Sequence, residues 1–134
     1  MKRIFIALVM AGGLFLLSQS SHAQFITKAV FATDAEGKNV KVGVDPGTKN
    51  IYCIITLAEP APDKAFRMVW TFYDRATRQR TEVLSQDLSN QTGKSIVSKY
   101  APAGGLKEGS YEVQLVIDGR NRNRVRLVVM KNQT

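Results

Sequence analysis

Beyond its first two dozen residues, this chain places apolar side chains at every second position, in short segments broken by turn residues. That period puts alternate side chains on opposite faces of an extended strand and does not fit the 3.6-residue repeat of an amphipathic helix. Phe25 to Ala32 reads as a first strand, and Val40, Val42 and Val44 as a second, half-buried one. Ile51 to Leu57 is nearly all apolar, which predicts a central strand. Phe66, Met68, Trp70 and Phe72 form one aromatic face of the next strand, with Arg67 and Tyr73 on its mixed face. Arg78 to Leu84 is polar and predicts an edge strand, and Gln86 to Gly93 reads as a loop. Ser95 to Tyr100, Tyr111 to Ile117 and Val125 to Val129 complete the set. Asp34–Gly37, Asp45-Pro46-Gly47, Glu59–Asp63, Pro102–Gly105 and Asp118-Gly119 supply the turns. No sustained helical period, repeat or low-complexity tract interrupts the pattern. Short strands at roughly ten-residue spacing predict an all-β sandwich or small barrel.

The first residues follow a different logic. Met1-Lys2-Arg3 is a positive start, Ile4 to Leu17 is an apolar run, and Ser21-His22-Ala23 offers small residues at a cleavage position. This is the pattern of a secretory signal peptide, with residues 1–23 removed and Gln24 as the new N-terminus. The apolar run is shorter than the roughly 20 residues of a membrane-spanning helix. A periplasmic or secreted location is therefore expected, with residues 24–134 forming one domain and no membrane insertion after cleavage. Cys53 is the only cysteine, so no disulfide can form within the chain. In an oxidising compartment such a thiol is either buried or used between chains.

The chemistry available is narrow. The one histidine, His22, lies in the predicted signal peptide, so the remaining chain lacks the commonest general base and metal ligand. The acids are scattered among basic residues and form no evident pair for glycoside hydrolysis. Asp34, Glu36 and Asp45 match no calcium-loop spacing, and Gly104-Gly105 precedes no helix that would make it a phosphate loop. The expectation is a non-enzymatic protein with no cofactor and no metal.

Charge points to a surface instead. The formal net charge is +8, and cleavage would remove only Lys2 and Arg3 from it. Arg120, Arg122, Arg124 and Arg126 recur at every second position of the last strand, which predicts one arginine face, with Val125, Leu127 and Val129 turned inward. Guanidinium groups suit phosphate, sulfate or carboxylate. Charges on an exposed strand also discourage edge-to-edge aggregation. To keep the valines of both strands inward, the last hairpin is expected to close with a three-residue loop, Ile117-Asp118-Gly119. That would set Glu112 opposite Arg124 and Gln114 opposite Arg122.

One segment carries a resemblance. Leu106-Lys107-Glu108-Gly109-Ser110-Tyr111-Glu112-Val113 resembles the start of strand F in immunoglobulin-like domains, where a tyrosine hydroxyl bonds backbone a few residues upstream. Tyr111 matches that tyrosine, Val113 stands where the family has its second cysteine, Cys53 falls on strand B and Trp70 on strand C. The resemblance implies an immunoglobulin-like antiparallel β-sandwich of about seven to eight strands without the disulfide, with Trp70, Cys53, Tyr111 and Val113 as structural residues. Fibronectin type III topology stays open beside it. The fold does not dictate a function. The readings that follow are an exported module binding another envelope or secreted protein, as a complex subunit or inhibitor, or one capturing an anionic polymer or headgroup. The candidate contacts are Arg120, Arg122, Arg124, Arg126, Arg67 and Tyr73.

Overall fold

The computed structural model describes residues 25–131. The expected signal peptide, and with it the cleavage site, lies outside the described residues. Among the described residues nine strands form: β1 (Ile26–Ala32), β2 (Val40–Lys41), β3 (Gly43–Val44), β4 (Ile51–Leu57), β5 (Phe66–Asp74), β6 (Gln79–Asp87), β7 (Ser95–Tyr100), β8 (Gly109–Ile117) and β9 (Arg120–Val129). They build a four-stranded sheet, β2-β1-β4-β7, and a five-stranded sheet, β3-β9-β8-β5-β6. All neighbours are antiparallel except β3, which runs parallel to β9.

Strand order makes this an immunoglobulin-like sandwich. β4 and β7 take the places of strands B and E, and β5, β8 and β9 those of C, F and G. β6 stays beside β5 in the position of C′, and no strand flanks β7 on its outer side among the described residues. The excess over the seven or eight strands expected comes from Val40 to Val44. Instead of one half-buried strand, this stretch leaves one sheet at Lys41 and joins the other at Gly43. The crossing strips two valines of cover: Val42 is 81% exposed and Val40 is exposed, whereas Val44 is buried. β6 also runs to Asp87, beyond the expected loop boundary, because Gln86 and Asp87 pair with Met68 and Arg67.

The core follows from period two on the facing sheets. Ile51, Cys53, Ile55 and Leu57 from β4 meet Phe66, Met68 and Trp70 from β5 and Tyr111, Val113, Leu115 and Ile117 from β8. Trp70 and Cys53 are completely buried. Rings form a connected file through the core, from Phe31 to Trp70 (5.8 Å between centroids), Tyr100 (5.4 Å), Tyr111 (5.7 Å) and Phe72 (4.8 Å). Trp70 Nε1 donates to Ser98 Oγ at 2.9 Å, and Ser98 donates to Gln86 Oε1 at 2.8 Å. This relay joins the two sheets and satisfies a buried indole N–H that would otherwise be costly.

The expected corner is present. The backbone N–H of Lys107 donates to the Tyr111 hydroxyl at 3.1 Å. Gly109, between them, has φ +147°, and a Cβ there would lie 2.6 Å from the Tyr73 carbonyl oxygen and 2.7 Å from the Phe72 ring. Only glycine lets the chain turn into β8 that close to β5.

The last hairpin differs from expectation in an instructive way. Its loop has two residues, not three: Asp118 (φ 50°) and Gly119 (φ 82°) both take positive φ, as a type I′ turn demands. Ile117 opposes Arg120 and Val116 opposes Asn121, but Leu115 opposes Asn123, so Arg122 is an extra, bulged residue. The bulge restores the parity that keeps Val125, Leu127 and Val129 on the side of Val113 and Tyr111. It also shifts the register, so Glu112 faces Arg126 and Gln114 faces Arg124. The turn is tied down by a reciprocal pair of bonds, Ala65 N–H to Asp118 Oδ1 and Asp118 N–H to the Ala65 carbonyl, each 2.9 Å. The Ala65 N–H, with Lys64 nearby, holds the Asp118 carboxyl below its ordinary pKa.

Candidate functional site

The bulge decides where the arginines go. Residues directly opposite one another on neighbouring strands share a face. Arg120 opposes Ile117 and so sits on the core side of β9, exposed at the open end of the sandwich. Arg122 occupies the bulge. Only Arg124 and Arg126 stand on the outer face, so the expected four-arginine face does not exist, because one extra residue breaks the period-two rule midway along β9.

The outer face of the five-stranded sheet gains other arginines in exchange. Tyr73 on β5 opposes both Ser110 on β8 and Arg80 on β6, and Thr71 opposes Glu112 and Glu82. The Arg80 guanidinium lies over the Tyr73 ring, 5.4 Å from its centroid. Arg67, on the same face, donates to Ser85 Oγ at 3.0 Å. Asp87, opposite Arg67, has its carboxyl held below its ordinary value, first by the Ser89 hydroxyl and amide and then by Arg67. Both Arg67 and Tyr73 therefore lie on this face with Arg124 and Arg126, whereas Arg120 and Arg122 do not join them.

Glu112 is the centre of the arrangement. Its carboxylate is 3.6 Å from Arg80, 3.6 Å from Arg124 and 3.7 Å from Arg126. The glutamate side chain is only 18% exposed, while its three partners are 59–61% exposed, so the carboxylate lies beneath a canopy of guanidinium groups. All three separations exceed hydrogen-bonding range. The attraction is Coulombic, and the guanidinium N–H donors remain uncommitted to Glu112. Pairs this exposed contribute only about 0.2 to 1 kcal/mol each to stability.

Beside Glu112 the face sinks into a hollow of about 340 Å³, lined by Thr71, Tyr73, Arg75, Arg80, Ser110, Glu112 and Arg126. Arg75 comes from the β5–β6 turn, and its only polar contact among the described residues is a weak one to Met130 Sδ at 3.9 Å. The turn is built by Asp74, whose carboxylate accepts from the Ala76 N–H at 2.9 Å. Sequence reasoning missed Arg75, Arg80 and the central place of Glu112. Asp74 marks the turn, but the register that sets Tyr73 opposite Arg80 is fixed by the β5–β6 ladder.

Cys53 lies away from this face. Desolvation in the core pushes its thiol pKa up to about 12, which removes the thiolate that disulfide exchange or nucleophilic chemistry requires. The two fates open to a lone thiol resolve in favour of burial.

No family model and no curated protein matches the sequence. Among solved structures, the chain overlaps an alkylpurine DNA glycosylase of Pseudomonas fluorescens bound to DNA containing an abasic site analogue. There the identity is 9% and the TM-score 0.48, over 78% of this chain and 30% of that one. It also overlaps an immunoglobulin-like protein of Pseudomonas aeruginosa, at 11% identity and TM-score 0.48, over 79% of this chain and 94% of that one. A family 76 glycoside hydrolase from a bovine Bacteroides thetaiotaomicron strain overlaps at 11% identity and TM-score 0.40, over 78% of this chain and 20% of that one. The chain thus spans less than a third of the two enzymes. The fold assignment rests on the strand order, register and tyrosine corner of the chain itself.

Proposed function

We propose that this protein is an exported, non-catalytic binding module whose outer five-stranded face docks another protein of the envelope or the secreted fraction. The observation that carries this reading is the composition of that face. Arginines and a tyrosine, the residue types that anchor protein interfaces, are held on a rigid sheet with polar Thr71, Ser110 and Gln114 between them. The non-catalytic part rests on chemistry: residues 24–134 contain no histidine, their one thiol is sealed in the core, and Glu112 is surrounded by cations. A continuous polyanion is a poorer fit. Glu82, Glu112 and Asp87 are spread over the same face, so an extended chain of phosphates or sulfates would cross carboxylates in its path.

The test is site-specific photocrosslinking in cells of the source organism. A photoreactive residue at Val69 or Gln114, which pair on the five-stranded outer face, is expected to give one protein adduct of defined mass. The same residue at Thr56 or Val97, on the outer face of the four-stranded sheet, is expected to give none. Adducts from the four-stranded face alone, or equally from both, would refute the assignment. Export itself predicts an intact mass beginning at Gln24.

A further inference from the structure

Resting on that reading, we infer that the hollow beside Tyr73 and Arg80 seats a single acidic side chain, Asp or Glu, of the partner protein, in competition with this chain's own Glu112. Three cations line the hollow, Arg75, Arg80 and Arg126, against one carboxylate, so the site retains a positive excess. Glu112 approaches Arg80 and Arg126 at 3.6 and 3.7 Å without forming a hydrogen bond to either, and Arg75 has no ion pair among the described residues. Each guanidinium carries five N–H donors, and a carboxylate entering from solvent can accept from them at the shorter distances of charge-assisted bonds. Ser110 and Thr71, which carry hydroxyl donors, line the same hollow. Tyr73 keeps Arg80 in place by stacking beneath it.

The size and charge of the hollow favour one acid over a polymer. Its volume, about 340 Å³, is at the small end of ligand sites. Glu112 lines it and Glu82 stands across Thr71 from Glu112, on the far side of β5, so an anion beyond the first meets repulsion. Glu112 fills the place of the ligand's carboxylate in the free protein. It keeps the arginines gathered and weakens every anion that arrives.

The experiment is a titration of the full exported chain with two capped pentapeptides, Gly-Ser-Glu-Ser-Gly and its Gln counterpart, followed by NMR of the arginine Nε–H groups. The expected result is saturable shifts at Arg75, Arg80 and Arg126 with the Glu peptide, and roughly tenfold weaker binding of the Gln peptide. Arg80→Gln or Arg126→Gln weakens the Glu peptide about tenfold, and Lys99→Gln, on the other sheet, changes nothing. Glu112→Gln tightens it roughly five- to tenfold, because a like charge a few ångströms away is removed. Equal binding of the two peptides, or no gain from Glu112→Gln, overturns the inference. So does a sulfated polysaccharide that binds more tightly per charge and shifts Arg67 and Arg120 as strongly as the hollow. If the peptides fail while photocrosslinks from Val69 and Gln114 persist, the face binds its partner by other contacts and only this inference falls. If the crosslinks fail as well, the docking face itself is wrong.

Discussion

Ser98 is the single buried polar residue among the described ones, and its hydroxyl serves both the indole of Trp70 and the amide of Gln86. Ser98→Ala leaves the buried Trp70 N–H without its acceptor. We expect a loss of about 1 to 3 kcal/mol in denaturant unfolding, and an unchanged midpoint would show that the relay contributes nothing. Tyr111→Phe removes only the acceptor for the Lys107 N–H and should cost about 0.5 to 1.5 kcal/mol with the fold intact. Cys53 gives a pH signature. Its native pKa stands at about 12 against an ordinary 9.0, so between those values the unfolded chain ionises the thiol and the native chain does not. Stability from this group is full below pH 9 and falls as pH rises, approaching about 1.4 kcal/mol per pH unit. Cys53→Ala should flatten the slope of urea midpoint against pH over that range, and an unaltered slope would contradict the assigned burial.

At the scale of elements, the strands were legible because period two survives wherever one face is buried. Seven of the nine lie where the alternation places them, and Trp70, Cys53, Tyr111 and Val113 all sit in the core the resemblance assigned them. The failures have a common cause. Alternation says which side chains share a face only while the ladder is unbroken, and one bulged residue, Arg122, turned a predicted four-arginine stripe into two pieces. The valines at 40 and 42 failed likewise, because changing sheets costs the chain its inward face. Edges are equally invisible in the sequence. The free edge of β7 is covered by Gln91, whose side-chain amide donates to the Val97 carbonyl and accepts from the Val97 N–H, both at 2.8 Å, like the backbone of a missing strand. Nothing in the polar run around Gln91 announces that role. Gln91→Ala should uncover an edge able to pair with another molecule. We predict more concentration-dependent association by light scattering than the parent protein shows, and a variant that associates no more than the parent would assign the protection elsewhere.

For the molecule as a whole, fold and face separate cleanly. The sandwich interior fixes the sheets, and the five-stranded outer face carries Arg67, Tyr73 and the Arg80, Arg124 and Arg126 guanidinium groups gathered round Glu112. The site was only partly readable in advance, since Arg67, Tyr73, Arg124 and Arg126 were expected contacts, whereas Arg75 and Arg80 became visible only once β6 was laid beside β5. On the proposed reading this face, rather than net positive charge, recognises the partner. The most direct measurement compares two charge-matched variants against the crosslinked partner by surface plasmon resonance. One variant carries Arg80→Gln and Arg126→Gln, and the other Lys28→Gln and Lys99→Gln on the four-stranded sheet. Recognition by this face predicts at least roughly a tenfold loss of affinity for the first and little change for the second. Equal losses would show that overall charge alone draws the partner and would contradict it.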